Sequence, residues 1–479
     1  MSAPRTASST CLPSRAHSRV CAVALLVVAL AILASPLNIA SAVTVEGRQF
    51  IFRGQPLFIR GAMYYQPHAY HQYFWETWWR SEFLHDLDRL PTYGFNAVAL
   101  QVNWGSFASR VDPLTGETEW RDRAFRDLRF ALRRLGQRGL LAILWTGTAR
   151  LPDGVAGAHN PTFTDLGGRT YQPYDGYLIR DWPAIAANDS PVWRAMLDFH
   201  RKVAEACADA DNVLYDPLDW QHLNINPWSF ADPGNLAAWR DWLRSRTSTS
   251  LSVVSPSNHN PDLQYWNQRW GETNATWDEV LLPVDEWVEN ATALLGPPYR
   301  GRPRDPYEGP KWADFRDWHD ALCNTVNAQI VAAIRAGDPD ALIGQRVDIW
   351  HFGDFRQRTW APQGVAFFCQ GTYPETPQQV SPDEARKTIR LVTERAPRQL
   401  PILFWETGLL PTAAPPADLP ALQAQWLNSV ESVAHQDGLL GFCWWVWRDY
   451  YMNDTSLSLG LLDLSGDPKP ALTGAPPRH

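Results

Sequence analysis

The chain has 479 residues, of which 45% are hydrophobic and 20% charged. This composition supports a large buried core and excludes disordered and fibrous proteins. The formal net charge is −8 and no Lys/Arg-rich stripe is present. The sequence therefore argues against nucleic acid or an anionic membrane as the main partner and favours a neutral ligand.

The N-terminus has the pattern of a signal peptide. Three arginines precede an apolar run of 15 residues at positions 20–34, and a small-residue sequence follows at 40–42. The run is shorter than the roughly 20 residues that cross a bilayer. We predict a cleaved signal over 1–42, export to the medium or cell envelope, and a mature chain 43–479 that forms one domain. An uncleaved membrane anchor is the alternative.

Short apolar strands then alternate with amphipathic helices. After a hairpin over residues 49–60, which we expect to cap the barrel bottom, eight strands are predicted at 61–65, 95–102, 140–144, 213–223, 341–347, 365–369, 401–405 and 438–445. Helices are predicted at 83–90, 125–138, 192–210, 311–336, 382–395 and 421–436. This order predicts a (β/α)8 TIM barrel, with an open doubly wound sheet as the alternative. No GxGxxG or GxxxxGK[ST] motif follows the first strand, so a nucleotide-binding sheet lacks support.

Two connections are unusually long. Residues 146–183 follow the third predicted strand and residues 226–310 follow the fourth. Binding loops of a barrel accumulate at the carboxyl ends of its strands. We therefore expect these insertions to build the walls of a cleft.

Cysteine and histidine spacing does not indicate a metal site or a cofactor. The four cysteines after the signal, Cys207, Cys323, Cys369 and Cys443, form none of the short metal-binding spacings. A disulfide, for example between Cys207 and Cys323, and buried thiols both remain open. No GxSxG motif occurs, which disfavours an α/β-hydrolase.

One carboxylate is placed for chemistry. Glu406 ends the apolar run 401–405 and stands just before Gly408. A charge at the carboxyl end of a barrel strand faces the functional cleft. A turn or helix-capping carboxylate is the alternative interpretation.

This segment resembles the seventh strand of the clan A glycoside hydrolases, which ends in the nucleophilic Glu. Residues 60–65, 87–98 and 460–470 resemble the first unit and the closing segment of that clan, and residues 239–243 with 265–271 resemble a region of family 42. The resemblance to families 5, 35 and 42 spans most of the mature chain. It implies a retaining hydrolase of a poly- or oligosaccharide, with Glu406 as nucleophile.

The resemblance breaks at the second catalytic carboxyl. In the clan an Asn-Glu pair ends the fourth strand; here Asn224 matches, but Ile225 stands where the acid/base Glu is expected. Another carboxyl could supply the proton, the substrate could carry a good leaving group as in myrosinases, or the protein could be a noncatalytic glycan-binding pseudo-glycosidase. The replacement candidates are Glu375, Asp354, Asp219 and Asp449.

Further substrate-binding residues follow from the resemblance. Asn224 is expected to bond a sugar hydroxyl, Tyr373 to contact Glu406, and Trp445 to stack on the sugar, with Trp447 as the register alternative. Trp104, at the end of the second strand, is also predicted to contact the carbohydrate. Core packing is the alternative for the Trp rings, as it is for the 25 Trp of the chain generally. For Tyr373 the alternative is a solvated residue in a turn.

The second strand also departs from family 5. Ala99 occupies a position where members of that family commonly carry an Arg that orients the nucleophile. Family 35 sequences lack this Arg too. The departure bears on the subfamily rather than on the clan.

Overall fold

Eight parallel strands close into a barrel in the computed structural model. The structure describes residues 42–68, 74–147, 151–155, 163–164, 170–171, 191–217, 233–250, 261–284, 305–306, 308–348, 364–371, 373–395, 400–410, 417–436, 439–452 and 455–473. The barrel strands are β4 (Ile59–Met63), β5 (Ala97–Asn103), β8 (Leu141–Gly147), β11 (Val213–Asp216), β12 (Ile343–Asp348), β13 (Val365–Gly371), β14 (Ile402–Thr407) and β15 (Gly441–Trp444). Strand β15 pairs with β4 and closes the ring. The predicted TIM barrel is confirmed.

Helices cover the outside of the barrel. They are α1 (Phe74–Thr77), α2 (Arg80–Arg89), α3 (Trp104–Phe107), α4 (Asp122–Gln137), α5 (Pro191–Cys207), α6 (Pro233–Ser250), α7 (Pro261–Trp270), α8 (Pro310–Gly337), α9 (Pro382–Arg395), α10 (Leu419–Gln436) and α11 (Pro470–Thr473). None of the helices in the described ranges is both long and apolar enough to span a bilayer.

Small antiparallel sheets decorate the barrel. They comprise β1 (Thr44–Glu46), β2 (Gln49–Phe52) and β3 (Gln55–Leu57), then β6 (Ala108–Val111) with β7 (Thr118–Trp120), β9 (Phe163–Thr164) with β10 (Thr170–Tyr171), and β16 (Tyr450–Met452) with β17 (Thr455–Leu457). The predicted N-terminal hairpin is present, but its second strand ends at Leu57. Ile59 already pairs with Gly441 of the barrel, because this buried side chain belongs to the barrel interior.

Side-chain alternation separates two cores. Along β5, Ala97 and Ala99 pack inside the barrel, whereas Val98, Leu100 and Val102 pack against the outer helices. Successive side chains of a strand point to opposite faces, so both faces of each strand are buried. This double burial explains why the barrel strands are continuous apolar runs.

The long insertion after β11 contains its own hydrophobic core. Helices α6 and α7 pack against the first half of α8 through a cluster of aromatic rings, Trp239, Trp266, Trp277, Trp312, Phe315 and Trp318. Arg269 donates two hydrogen bonds to Asp314, of 2.7 and 2.9 Å, and so fastens α7 to α8. These tryptophans pack with one another rather than face a ligand.

Helix α8 connects this insertion to the barrel. Its 28 residues give a length of about 42 Å. The second half, with Ile330 and Ile334, packs on the barrel, and the first half, with Trp312 and Phe315, packs in the insertion. Because α8 leads into the amino end of β12, its first half lies toward the carboxyl ends of the strands. The insertion therefore stands at the functional face.

Candidate active site

Glu406 lies in an irregular stretch at the end of β14. Phe404 pairs with Phe442 and Thr407 pairs with Trp444, so β14 contains one more residue than β15 between these pairs. Glu406 adopts a left-handed backbone with φ of 55°. A non-glycine residue pays about 1 to 3 kcal/mol for such a conformation, and such residues cluster at functional sites.

The bulge changes the direction of the Glu406 side chain. Phe404 packs outside the barrel and Trp405 inside it. Thr407 points outward again, since its hydroxyl accepts a 2.9 Å hydrogen bond from the Trp426 indole on α10. Regular alternation would also turn Glu406 outward; instead its carboxylate contacts Tyr373, which packs against the interior cluster.

Tyr373 holds the carboxylate. Its hydroxyl donates a 2.7 Å hydrogen bond to Oε1 of Glu406. Glu406 itself is 7% exposed, so the carboxylate is held in a largely water-excluded place. The predicted contact between these two residues is present.

Two glycines permit the close packing of Tyr373, Glu406 and Trp445. A Cβ on Gly408 would lie 2.6 Å from the Trp445 carbonyl oxygen and 3.2 Å from Cε1 of Tyr373. A Cβ on Gly371 would lie 3.0 Å from the Glu406 carbonyl oxygen. Only glycine fits at Gly408 without moving the backbone that carries Trp445.

Trp445 stands among aromatic rings inside the barrel. Its ring centroid is 5.5 Å from that of Tyr65 and 5.8 Å from that of Trp145, both in edge arrangements. Its backbone N–H donates to the Thr407 carbonyl at 2.7 Å, so Trp445 and the Glu406 segment are fastened together. The Trp445–Val446 peptide bond is cis.

The other two tryptophans proposed as sugar contacts lie elsewhere. Trp447 is fully buried outside the barrel against Phe95, with ring centroids 5.6 Å apart. Trp104 is 1% exposed and stacks on Phe199 of α5. Neither ring presents a face to a ligand, and we correct these two assignments to core packing. Both residues closely follow the end of a barrel strand. At such a position the sequence does not distinguish a buried Trp from one that faces a ligand.

Several predicted residues lie outside the described residues. These are Asn224, Ile225, Asp219 and Asp354, together with the signal segment over residues 1–41. The segment in which the acid/base is expected is among them.

The two remaining candidates for a proton donor are described. Asp449 is buried and accepts hydrogen bonds from the Gly460 N–H at 2.7 Å and from Lys469 Nζ at 2.8 Å. Burial raises the pKa of Asp449, while Lys469 opposes the rise. These bonds fasten the closing segment, which is a structural task. Glu375 is exposed in the loop after β13.

Sequence reasoning missed two polar side chains at the same end of the barrel. Gln101, 1% exposed, accepts a 3.0 Å hydrogen bond from the Tyr65 hydroxyl. Asp216, the last residue of β11, is fully buried and pairs in register with Trp145. Alternation along β5 and β11, with Ala99 and Leu214 inside, was the signal that could have identified both.

Among the described residues, no three His, Cys, Asp or Glu side chains are grouped to hold a metal ion. Cys207, Cys369 and Cys443 are buried thiols that are not joined to other cysteines. The side chain of Cys323, the other partner of the predicted disulfide, lies outside the described residues. Burial raises the pKa of the Cys207 thiol far above its ordinary value.

Comparison with solved structures identifies the fold. No protein-family model matches the sequence, and no curated protein matches it significantly. The barrel is nevertheless similar to that of glycoside hydrolases of known structure, and the chain shares their (β/α)8-barrel fold. At 16 to 18% identity these matches show the fold alone.

Three of these structures have TM-scores above 0.5. The exo-β-1,4-mannosidase Op5Man5 from Opitutaceae bacterium strain TAV5 has 16% identity and a TM-score of 0.51, with 90% of this chain and 61% of that chain covered. A β-galactosidase from the psychrophilic Marinomonas ef1 has 18% identity, a TM-score of 0.58 and coverages of 86% and 57%. The β-galactosidase from the Antarctic haloarchaeon Halorubrum lacusprofundi has 16% identity and a TM-score of 0.57, with 86% of this chain and 56% of that chain covered. The chain thus spans less than two thirds of each of these proteins.

Proposed function

We propose that this protein is a retaining glycoside hydrolase that cleaves O-glycosidic bonds of a poly- or oligosaccharide through Glu406. The observation that carries the proposal is the position of the Glu406 carboxylate. The left-handed backbone conformation of Glu406 turns this carboxylate into the barrel mouth, where it accepts a 2.7 Å hydrogen bond from Tyr373. A strained, buried carboxylate at the carboxyl end of a barrel strand suits a nucleophile better than a structural turn.

The chemistry follows from this arrangement. Tyr373 holds Oε1, and the carboxylate attacks the anomeric carbon of a sugar lying on Trp445. A bond forms between that carbon and a Glu406 oxygen while the bond to the leaving group breaks. Water then hydrolyses the glycosyl ester, which restores the carboxylate and gives retention of configuration.

The leaving group decides whether a proton donor is needed. General acid catalysis contributes about 10²- to 10⁴-fold for ordinary glycosides. A leaving group that is stable as an anion departs without this help. Since Ile225 occupies the usual position of the acid/base, the nucleophile is best tested with such a leaving group.

The experiment is trapping with 2-deoxy-2-fluoro-glycosyl fluorides of glucose, mannose and galactose. We expect fluoride release and a peptide containing Glu406 that gains the mass of one fluorohexosyl group. Glu406→Gln should abolish labelling, and Glu117→Gln, an exposed carboxyl in the turn before β7, should not. Labelling of another carboxyl would contradict the assignment. If no sugar labels the protein but glycans still bind, the protein is a pseudo-glycosidase.

We also propose that the protein is exported after removal of residues 1–42. The support is the run of 15 apolar residues preceded by three arginines. Intact-mass analysis of the protein expressed with its full N-terminus should give a chain that begins at Val43. Recovery of the uncleaved chain in the membrane fraction would instead favour an anchor.

A further inference from the structure

Three exposed aromatic side chains form a strip at the rim of the barrel mouth. Trp79 is 59% exposed and Tyr451 is 46% exposed. His68 lies beside Trp79, with the two ring centroids 3.8 Å apart. The carbonyl of the residue before it, Pro67, accepts a 3.1 Å hydrogen bond from the Tyr451 N–H. We call Trp79, His68 and Tyr451 the rim strip.

The rim strip lies on the functional face. Residues 64–68 continue from the carboxyl end of β4, and Trp79 immediately precedes α2, the helix that returns along the outside. Tyr451 follows β15, the neighbour of β4. All three side chains therefore stand at the same end of the barrel as Glu406.

The Trp79 backbone is fixed although its ring is exposed. Gln66, which is fully buried, accepts a 2.7 Å hydrogen bond from the Trp79 N–H and donates a 2.8 Å bond to the Trp79 carbonyl. The buried Tyr64 hydroxyl accepts a further bond from Gln66 at 3.3 Å. A ring held from its backbone loses little conformational entropy when a ligand covers it, which favours binding.

The rim strip is joined along the chain to rings beside the candidate active site. The Tyr65 ring lies 5.5 Å from Trp445 on one side and 5.4 Å from Tyr450 on the other. Tyr65 and Tyr450 are buried, and the chain continues from them to His68 and Tyr451, which are separated from them by two residues and by none. The buried rings next to Trp445 therefore fix the backbone segments that carry His68 and Tyr451.

From this position at the carboxyl end of the barrel and from the exposed, anchored ring of Trp79 we propose that the rim strip binds a carbohydrate chain outside the reacting sugar. Among the described residues, the tryptophans are otherwise buried or partly buried, so an exposed and anchored Trp79 stands apart. The flat apolar face of a pyranose suits an indole, and the Tyr451 hydroxyl and the His68 imidazole can bond sugar hydroxyls at its edge. The inference rests on the proposed function and adds the place at which further sugar units of the substrate bind.

The test compares long and short substrates. Wild type, Trp79→Ala and Trp79→Phe are assayed with mannohexaose, cellohexaose and galactohexaose carrying an activated aryl aglycone, and with the matching aryl monosaccharides. Trp79→Ala should raise KM for the preferred hexasaccharide about tenfold more than for its monosaccharide. Trp79→Phe should recover most of this difference, because a flat ring remains. Leu114→Ala, which truncates an 84% exposed apolar side chain in the turn between β6 and β7, is the control.

Binding separates this inference from the proposed function. Affinity electrophoresis of Glu406→Gln in mannan, cellulosic glucan and galactan gels measures carbohydrate binding without turnover. Retardation that Trp79→Ala reduces supports the rim strip even if no glycoside is cleaved. Equal KM ratios for wild type and Trp79→Ala, together with equal retardation of Glu406→Gln with and without Trp79→Ala, would overturn the inference and leave the nucleophile assignment untouched.

Discussion

The Tyr373 hydroxyl lies 2.7 Å from Oε1 of Glu406 and donates a hydrogen bond to it. A hydrogen bond to a charged group contributes about 1.5 to 3 kcal/mol. We expect Tyr373→Phe to lower kcat/KM for aryl glycosides about 10- to 100-fold, with little change in melting temperature. Tyr93→Phe, which removes a hydroxyl outside the barrel, is the control. A Tyr373→Phe enzyme with wild-type kinetics would show that this bond does not orient the carboxylate.

Gly408 sets the distance between Trp445 and the carboxylate segment. In Gly408→Ala the new Cβ would lie 2.6 Å from the Trp445 carbonyl oxygen, so the backbone must shift. We expect a loss of about 1 to 3 kcal/mol in the free energy of unfolding. We also expect kcat of the folded variant to fall, because the shift moves Trp445 relative to Glu406. Gly136→Ala in α4 is the matched control, since its Cβ would meet nothing closer than 3.5 Å. Similar effects of both variants would argue against a special role for Gly408.

The Asp449–Lys469 ion pair fastens the segment that follows β15. The Asp449 and Lys469 side chains are 6% and 10% exposed and their charged atoms are 2.8 Å apart. Removing one partner of a buried pair costs about 3 to 5 kcal/mol, because the other charge loses its compensation. We expect that loss for Asp449→Asn in chemical denaturation. The double variant Asp449→Asn with Lys469→Met should recover much of it, and additive losses would show that the pair is not coupled.

His200 makes stability depend on acidity. Burial lowers the pKa of His200 to about 3, while its ordinary value is 6.5. The unfolded chain therefore binds the proton more readily, and stability present at neutral pH is lost as the pH falls from 6.5 toward 3. Protonation of this residue in the unfolded chain should lower the free energy of unfolding by about 3 kcal/mol between about pH 7 and about pH 4.

The comparison variant is His200→Gln, which cannot take up a proton. Its free energy of unfolding, measured by denaturant titration at both pH values, should fall less between them than that of wild type. The same pH dependence in both proteins would mean that His200 does not hold a depressed pKa. The hydroxyl of Thr146 lies 3.3 Å from Nδ1 of His200, and this buried hydrogen bond orients the neutral ring.

The predicted elements agree with the structure where burial on two faces produces continuous apolar runs. Helix α9 has the predicted bounds. Strand β5 begins two residues and ends one residue later than predicted, and β13 ends two residues later. The insertion after β11 was expected to form a cleft wall, but its tryptophans also build a separate core. Periodicity identifies which residues are apolar; it does not reveal which other element they pack against.

The tryptophans show the same limit within the candidate site. Trp445 and Trp447 are two residues apart, and the sequence left them as alternatives for the sugar platform. In the structure Trp445 lies inside the barrel and Trp447 packs outside it against Phe95. Which ring faces the cleft depends on how the chain leaves β15, and this is a property of the closed barrel.

The sequence by itself determined the alternation of strands and helices and the position of Glu406 after an apolar run, because local patterns of burial record both. Only the tertiary structure decided where the carboxylate points. In a regular strand Glu406 would share the outward face of Phe404, away from the barrel interior. The extra residue in β14 and the φ of 55° at Glu406 turn it to Tyr373. A bulge depends on pairing with a neighbouring strand, and strands β14 and β15 lie side by side only in the folded sheet.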